Sequence, residues 1–241
     1  MKITAVVSLV FLCAFWSCKK QLEKTPYTGP RVGHTYNVVE IAGFKEITVK
    51  GEFNDGYIKK LPKTTLIWLA DTVYTYMSNV LDSIINDINV QAGGFLTLQR
   101  TTDSASSLIQ VHLTDSATYK LIEPNADISS QRYEYDILGL VYPRWTSDNI
   151  INHESVFVDM KKTTNDHNYQ QYILRHEMMH ALGFFGHEHM AQFYTSVISV
   201  YPIAPFAHSF SSFDNTAIQL LYDPAVQAGM DEAALDALLA H

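Results

Sequence analysis

An α+β domain is what this sequence predicts, and three observations predict it. After Asp71, the apolar residues Val73, Met77, Val80, Leu81, Ile84, Ile85 and Ile88 recur at three- and four-residue steps until Gly93-Gly94. That spacing lines one face of a long helix and stops where glycine favours an end. Short β-branched, alternating runs flank this helix on both sides, as strands do. A second helical stretch begins near Asn165 or Asp166, after the last of those runs.

Taken in order, residues 38–49 and 64–69 read as strands from their β-branched, alternating character. The first is either an added strand or part of a small N-terminal extension covering residues 34–60. The long helix follows, and its apolar stripe belongs to the core. Residues 95–99, 108–113, 136–142 and 155–160 are the next strands. Near the end, Ser211 and Asp214 form a helix start, an N-cap hydroxyl with an acid three residues on, so Asp214 has a structural role.

The chain has 241 residues, 47% hydrophobic and 17% charged, enough for one sizeable core. A formal net charge of −8 argues against nucleic acid as a partner, since phosphate binding needs a basic surface. Met1-Lys2, an apolar stretch from Ile3 to Trp16 and then Ser17-Cys18 look like a bacterial lipoprotein signal. On that reading residues 1–17 are the signal, Cys18 carries lipid, and residues 18–33, with Pro26, Gly29 and Pro30, are a tether. Residues 34–241 are the domain. The expected location is the cell envelope, lipid-anchored at the outer membrane or cell surface of a Gram-negative bacterium. Plain secretion and an uncleaved anchor are the alternatives. Cys13 leaves with the signal, so neither a disulfide nor a free thiol remains, and packing and metal must hold the domain.

The most informative run is His176-Glu177-Met178-Met179-His180-Ala181-Leu182-Gly183-Phe184-Phe185-Gly186-His187. Two histidines four residues apart project from one helix face at the separation needed to bind one metal ion. Glu177 stands beside the first. A catalytic zinc takes about three protein ligands and leaves one position for water, so a third donor must come from beyond the helix. Gly183 sits where the helix must end in a left-handed residue, and the turn then returns His187 to the metal, with His189 as the fallback ligand. The bland alternative is a buried amphipathic helix whose histidines are hydrogen-bonded core residues.

These residues resemble the metzincin metallopeptidases, whose pattern is His-Glu-x-x-His-x-x-Gly-x-x-His followed by a methionine-containing turn. Gly186 stands where the third histidine of that pattern falls, and His187 comes one residue late. The run from Ser196 to Tyr201 resembles the turn beneath the metal, with Ile198 in place of methionine. An apolar residue of similar volume can fill that place. Tyr201 is read as an ordinary aromatic. The run from Ser211 to Tyr222 is similar to the closing helix of matrixin-like domains. The resemblance covers residues 58–223, most specifically 170–222, and implies a twisted mixed sheet packed on the long helix and the active-site helix, with a small C-terminal helical subdomain.

It also implies chemistry: a zinc endopeptidase with His176, His180 and His187 on the metal and Glu177 as general base. The segment from Leu138 to Trp145 resembles the edge strand above the metzincin cleft, so Gly139, Leu140 and Val141 would bind an extended peptide or protein substrate. An ordinary sheet edge, its pairing ended by Pro143, is the equal alternative. A second functional class is a surface-tethered binding or adhesion module without peptide turnover, favoured by Ile198 and the displaced third histidine. The intact Glu177 speaks for the enzyme. The other histidines, His34, His112, His153, His167, His208 and His241, lack ligand spacing, although His153 and His167 could join a distant second site. No acidic calcium loop stands out.

Overall fold

The computed structural model describes residues 27–28, 35–51, 54–70, 73–127, 138–163, 166–200, 206 and 208–239. The proposed signal, Cys18, most of the tether, His34, Asp71, Asn165, Tyr201 and His241 lie outside the described residues. Among those described, the fold is mixed α/β, with a five-stranded mixed sheet and six α-helices.

Two short strands, β1 (Tyr27–Thr28) and β2 (Thr35–Tyr36), pair antiparallel ahead of helix α1 (Val38–Thr48). Residues 38–49 are therefore helical, which corrects the strand expected there. The physical reason is a capping box: the Asn37 side chain accepts the amides of Val39 and Glu40, and Glu40 Oε2 accepts the Asn37 amide at 3.0 Å. Gly43, Phe44, Ile47 and Thr48 then share the buried face at helical spacing, which outweighs the β-branched content.

The sheet runs β4-β3-β5-β7-β6, built from β3 (Thr64–Leu69), β4 (Thr97–Thr101), β5 (Ile109–Thr114), β6 (Gly139–Trp145) and β7 (Ile151–Asp159). The first four strands in that order are parallel neighbours, and β6 joins the edge antiparallel to β7. Parallel strands need helical crossovers, so both faces of such a sheet become covered. Accordingly β7 is buried along nearly its whole length. The strand expected at 64–69 has those bounds, and those expected at 95–99, 108–113 and 155–160 are present with shifted ends. The strand expected at 136–142 begins at Gly139, and its first two residues lie outside the described set.

Pro143 does not end the pairing of β6, contrary to expectation. It pairs with Glu154 and the ladder continues, with an irregularity between Arg144 and Trp145. An edge strand has one side without a partner, and a proline there costs no ladder bond.

The long helix α2 (Thr75–Ala92) buries Met77, Leu81, Ile84, Ile85, Ile88 and Ala92 and ends on left-handed Gly93, φ 57°. Val73 precedes the helix and is 78% exposed, so it falls outside the stripe assigned to it. The second long helix, α4 (His167–Ala181), lies beside α2 and crosses β6 and β7. Arg175 of α4 donates to Asp87 of α2 at 3.0 Å. On the opposite face, α3 (Ser116–Ile122) stacks Tyr119 on Phe157, with Leu140 and Tyr142 packed alongside. The helices α5 (Ser212–Leu221) and α6 (Glu232–Leu239) contribute Phe213, Ile218, Leu235 and Leu239 to the same core as the sheet.

Candidate metal centre

Helix α4 delivers the site. Asp166 caps its start by accepting the Tyr169 amide, and its far end stops at Gly183, φ 111°. A Cβ on Gly183 would lie 2.5 Å from the Lys59 carbonyl oxygen, so the position needs glycine for space as well as for backbone conformation. The buried Tyr222 hydroxyl donates to the Leu182 carbonyl at 2.8 Å and satisfies one of the helix-end oxygens that lack an intrahelical partner.

His176 and His180 project from one face of α4, and their Nε2 atoms are 3.1 Å apart. The chain turns after Gly183 and brings His187 Nε2 to 3.3 Å from His176 Nε2. One nitrogen from each of the three lies within 4.8 Å of the others, an arrangement that could hold a metal ion. His189, the fallback, is exposed and is not part of this group.

The tautomers follow from the partners. His176 Nδ1 lies 2.6 Å from the Val197 carbonyl oxygen and His180 Nδ1 lies 2.5 Å from that of Phe184. A carbonyl only accepts, so each Nδ1 carries the proton and donates. Burial, aided by His187, pushes His176 down to about 4, and burial pushes His180 well below the ordinary histidine range. Burial and then His189 push His187 down to about 4. Near neutral pH the rings are neutral, and the Nε2 atoms of His176 and His180 turn lone pairs toward each other. Lone pairs at this distance repel unless an electrophile lies between them, so the donor set fits a metal cation. Carbonyl partners on Nδ1 are also what orients metal-binding histidines. Imidazole donors suit zinc, copper, iron and nickel.

Glu177 is 5% exposed, and burial raises its carboxyl well above the usual range. The edge strand passes directly over it, since a Cβ on Gly139 would lie 2.4 Å from Glu177 Oε1 and 2.6 Å from Ile173 Cγ2. Gly139, Leu140 and Val141 pair with Val158, Phe157 and Val156 and form the outermost strand on the side of Glu177.

Beneath the rings runs the turn 196–200. Its Val197 carbonyl accepts both His176 Nδ1–H and the Tyr172 hydroxyl, the latter at 3.1 Å. Asp214 on α5 fixes this turn: its carboxylate accepts the Ser196 hydroxyl and, at 3.1 Å, the Val197 amide. Asp214 also completes the capping box with Ser211, the structural role read for it. Its reach from α5 to the hydrogen-bond partner of His176 is a long-range contact that no local spacing announces. Ile198 is fully buried in the same turn, and Glu188 binds the turn's backbone from the His187 loop, Glu188 N to Ile198 O at 3.0 Å and Val200 N to Glu188 O at 3.1 Å.

The remaining described histidines have other surroundings. His153 bonds Glu123 at 3.1 Å, His167 stacks on Tyr76, His112 is buried against Trp68 and Tyr119, and His208 is exposed. Among the described residues none of them joins a metal-binding group. Compared with known protein families and with curated proteins, the chain matches none.

Proposed function

We propose that the protein is a zinc-dependent endopeptidase of metzincin type, most like the matrixins, acting on peptide or protein substrates from a lipid anchor at the cell envelope. The observation that carries this reading is the convergence of the His176, His180 and His187 nitrogens, with the buried Glu177 next to His176 in the same helix. A purely structural zinc fills its coordination shell with protein ligands and has no use for an adjacent base. When bound, zinc would supply a Lewis acid that polarises the peptide carbonyl and acidifies a water to a pKa of about 7.

The chain's own residues do the rest. His176 and His180, held by the Val197 and Phe184 carbonyls, keep their Nε2 lone pairs aimed at one point. Glu177 takes a proton from the attacking water and returns it to the leaving amine, a role worth about 10²–10⁴-fold in rate. The outer edge of β6, unpaired among the described residues, would align an extended substrate across Glu177 by adding it as a further strand.

The test is cleavage of a mixed peptide library by the purified protein with zinc, with and without a chelator. Chelator-sensitive cleavage that Glu177→Ala abolishes, with zinc still bound, is expected. Zinc binding without any cleavage would instead favour the tethered binding module, for which the late third histidine and Ile198 speak.

A further inference from the structure

The helix ahead of the sheet has the most intimate contacts with the metal-binding loop, although it lies more than 120 residues away in sequence. Gly186, immediately before His187, donates its amide to the Ile47 carbonyl at 3.0 Å. Beside that bond two glycine backbones touch. A Cβ on Gly51 would lie 2.3 Å from Gly186 Cα, and a Cβ on Gly186 would lie 2.5 Å from Gly51 Cα and 2.6 Å from the Glu46 carbonyl oxygen. The obstructing atoms are backbone, so no side-chain rotation relieves them.

On the other side of His187, the buried Glu188 lies against α1 at Gly43, where an added Cβ would stand 2.7 Å from Oε2 and 2.8 Å from Phe213. Phe44 of α1 packs edge-on against Phe184, the residue whose carbonyl holds His180. The helix is itself tied to α6, with Lys45 paired to Glu232 and Asp236 and Lys50 to Glu232.

We propose that α1 and the turn after it are a positioning element of the metal site: Gly51 and Ile47 before His187, and Gly43 after it, clamp the loop that presents the third ligand, so that metal binding and docking of α1 are thermodynamically coupled. This rests on the reading of the three histidines as metal ligands. A helix that serves only as core packing would give stability without responding to the metal. A coupled helix opens less often when the metal is bound, because opening releases the loop that holds His187.

Hydrogen exchange of the full chain with and without zinc ion, alongside calorimetric zinc titration, tests the coupling. At free zinc a hundred times its Kd, amides of residues 38–51 whose exchange proceeds through opening of α1 should slow by up to about 100-fold. His187→Ala should abolish that protection. Gly51→Ala, which drives a methyl into the Gly186 backbone, should weaken zinc binding by on the order of tenfold or more; Lys45→Ala with Lys50→Ala, which loosens α1 without touching the loop, should weaken it by a smaller factor. Zinc that binds while the exchange of α1 is unchanged overturns the coupling and leaves the metal site standing. Failure of zinc to bind the unmutated protein overturns the metal reading itself, and the coupling with it.

Discussion

Gly139 of the edge strand and Glu177 of helix α4 are in such close approach that only a hydrogen fits between them. An added Cβ would fall 2.4 Å from Glu177 Oε1 and 2.8 Å from its Cγ. The Glu177 side chain would have to swing aside, and Ile173, whose Cγ2 would lie 2.6 Å from the same methyl, would have to give as well. Gly139→Ala should therefore lower kcat/KM by about 10²-fold or more, the scale of losing a general base, while zinc stoichiometry stays at that of the unmutated protein. Steady-state cleavage and elemental analysis check the two halves of that expectation. Undiminished turnover would separate Glu177 from the reaction or free it from the strand.

If His176, His180 and His187 hold zinc as proposed, removing it should destabilise the fold through them. A site saturated at a hundred times its Kd contributes about 2.7 kcal/mol, which for a domain of this size corresponds to roughly 5–10 °C in Tm. Chelation should lower the unfolding temperature by that order, and His180→Ala should unfold at the lower temperature with or without added zinc. A His180→Ala protein that still rises in Tm with zinc would remove His180 from the ligand set.

The motif made the three converging histidines readable, because their spacing is local: a step of four residues from His176 to His180 gives one helix face, and Gly183 gives the turn. The apolar stripe of α2 was legible for the same reason. What could not be read was long-range or concealed by composition. Residues 38–49 look strand-like by their valines and isoleucines, yet Asn37 and Glu40 form the capping box that makes them a helix. The Asn37–Glu40 spacing is a local helix-start signal that the surrounding β-branched residues mask. The contacts of Gly51 with Gly186, and of Gly139 with Glu177, leave no trace in sequence beyond a glycine.

Asp214 shows how much one such contact carries. Replacing it with alanine strips the partners from the Ser196 hydroxyl and the Val197 and Ser211 amides, and removes half of the α5 capping box. The expected cost is about 2–4 kcal/mol, from unpaired buried donors and a weakened cap. Since Val197 also orients His176, zinc affinity should fall as well. Urea denaturation in chelator measures the first effect and zinc titration at a temperature where the variant is folded measures the second.

Ile198→Met tests whether the residue standing in place of the usual methionine matters. The side chain is fully buried and has no polar function, so an exchange of similar volume should change stability by less than about 1.5 kcal/mol and leave turnover within a few-fold. A large gain in activity would mean that isoleucine at this position restrains the enzyme.

Lys60 offers a pH dependence remote from the metal. Its ammonium group donates to the Asp223 carbonyl at 3.3 Å and the Val226 carbonyl at 2.7 Å, and lies over the Tyr222 ring. Burial lowers its pKa from 10.5 to about 8, and the nearby charge of Asp223 only partly offsets this. Below pH 8 both the folded and the unfolded chain carry the proton, and the fold bears the full cost of a buried charge. Between about pH 8 and 10.5 the unfolded chain binds more protons than the folded one, so this group makes stability rise with pH. A shift of this size corresponds to about 3 kcal/mol at most. Buried tyrosines act in the opposite sense: burial holds Tyr119, Tyr172 and Tyr222 protonated, and stability is lost once the unfolded tyrosines ionise above pH 10. Lys60→Met keeps those tyrosines and removes only the lysine. Between pH 7.5 and pH 10 the unfolding free energy of the unmutated protein should rise relative to that of the variant; a constant difference would show that Lys60 keeps an ordinary pKa in the fold.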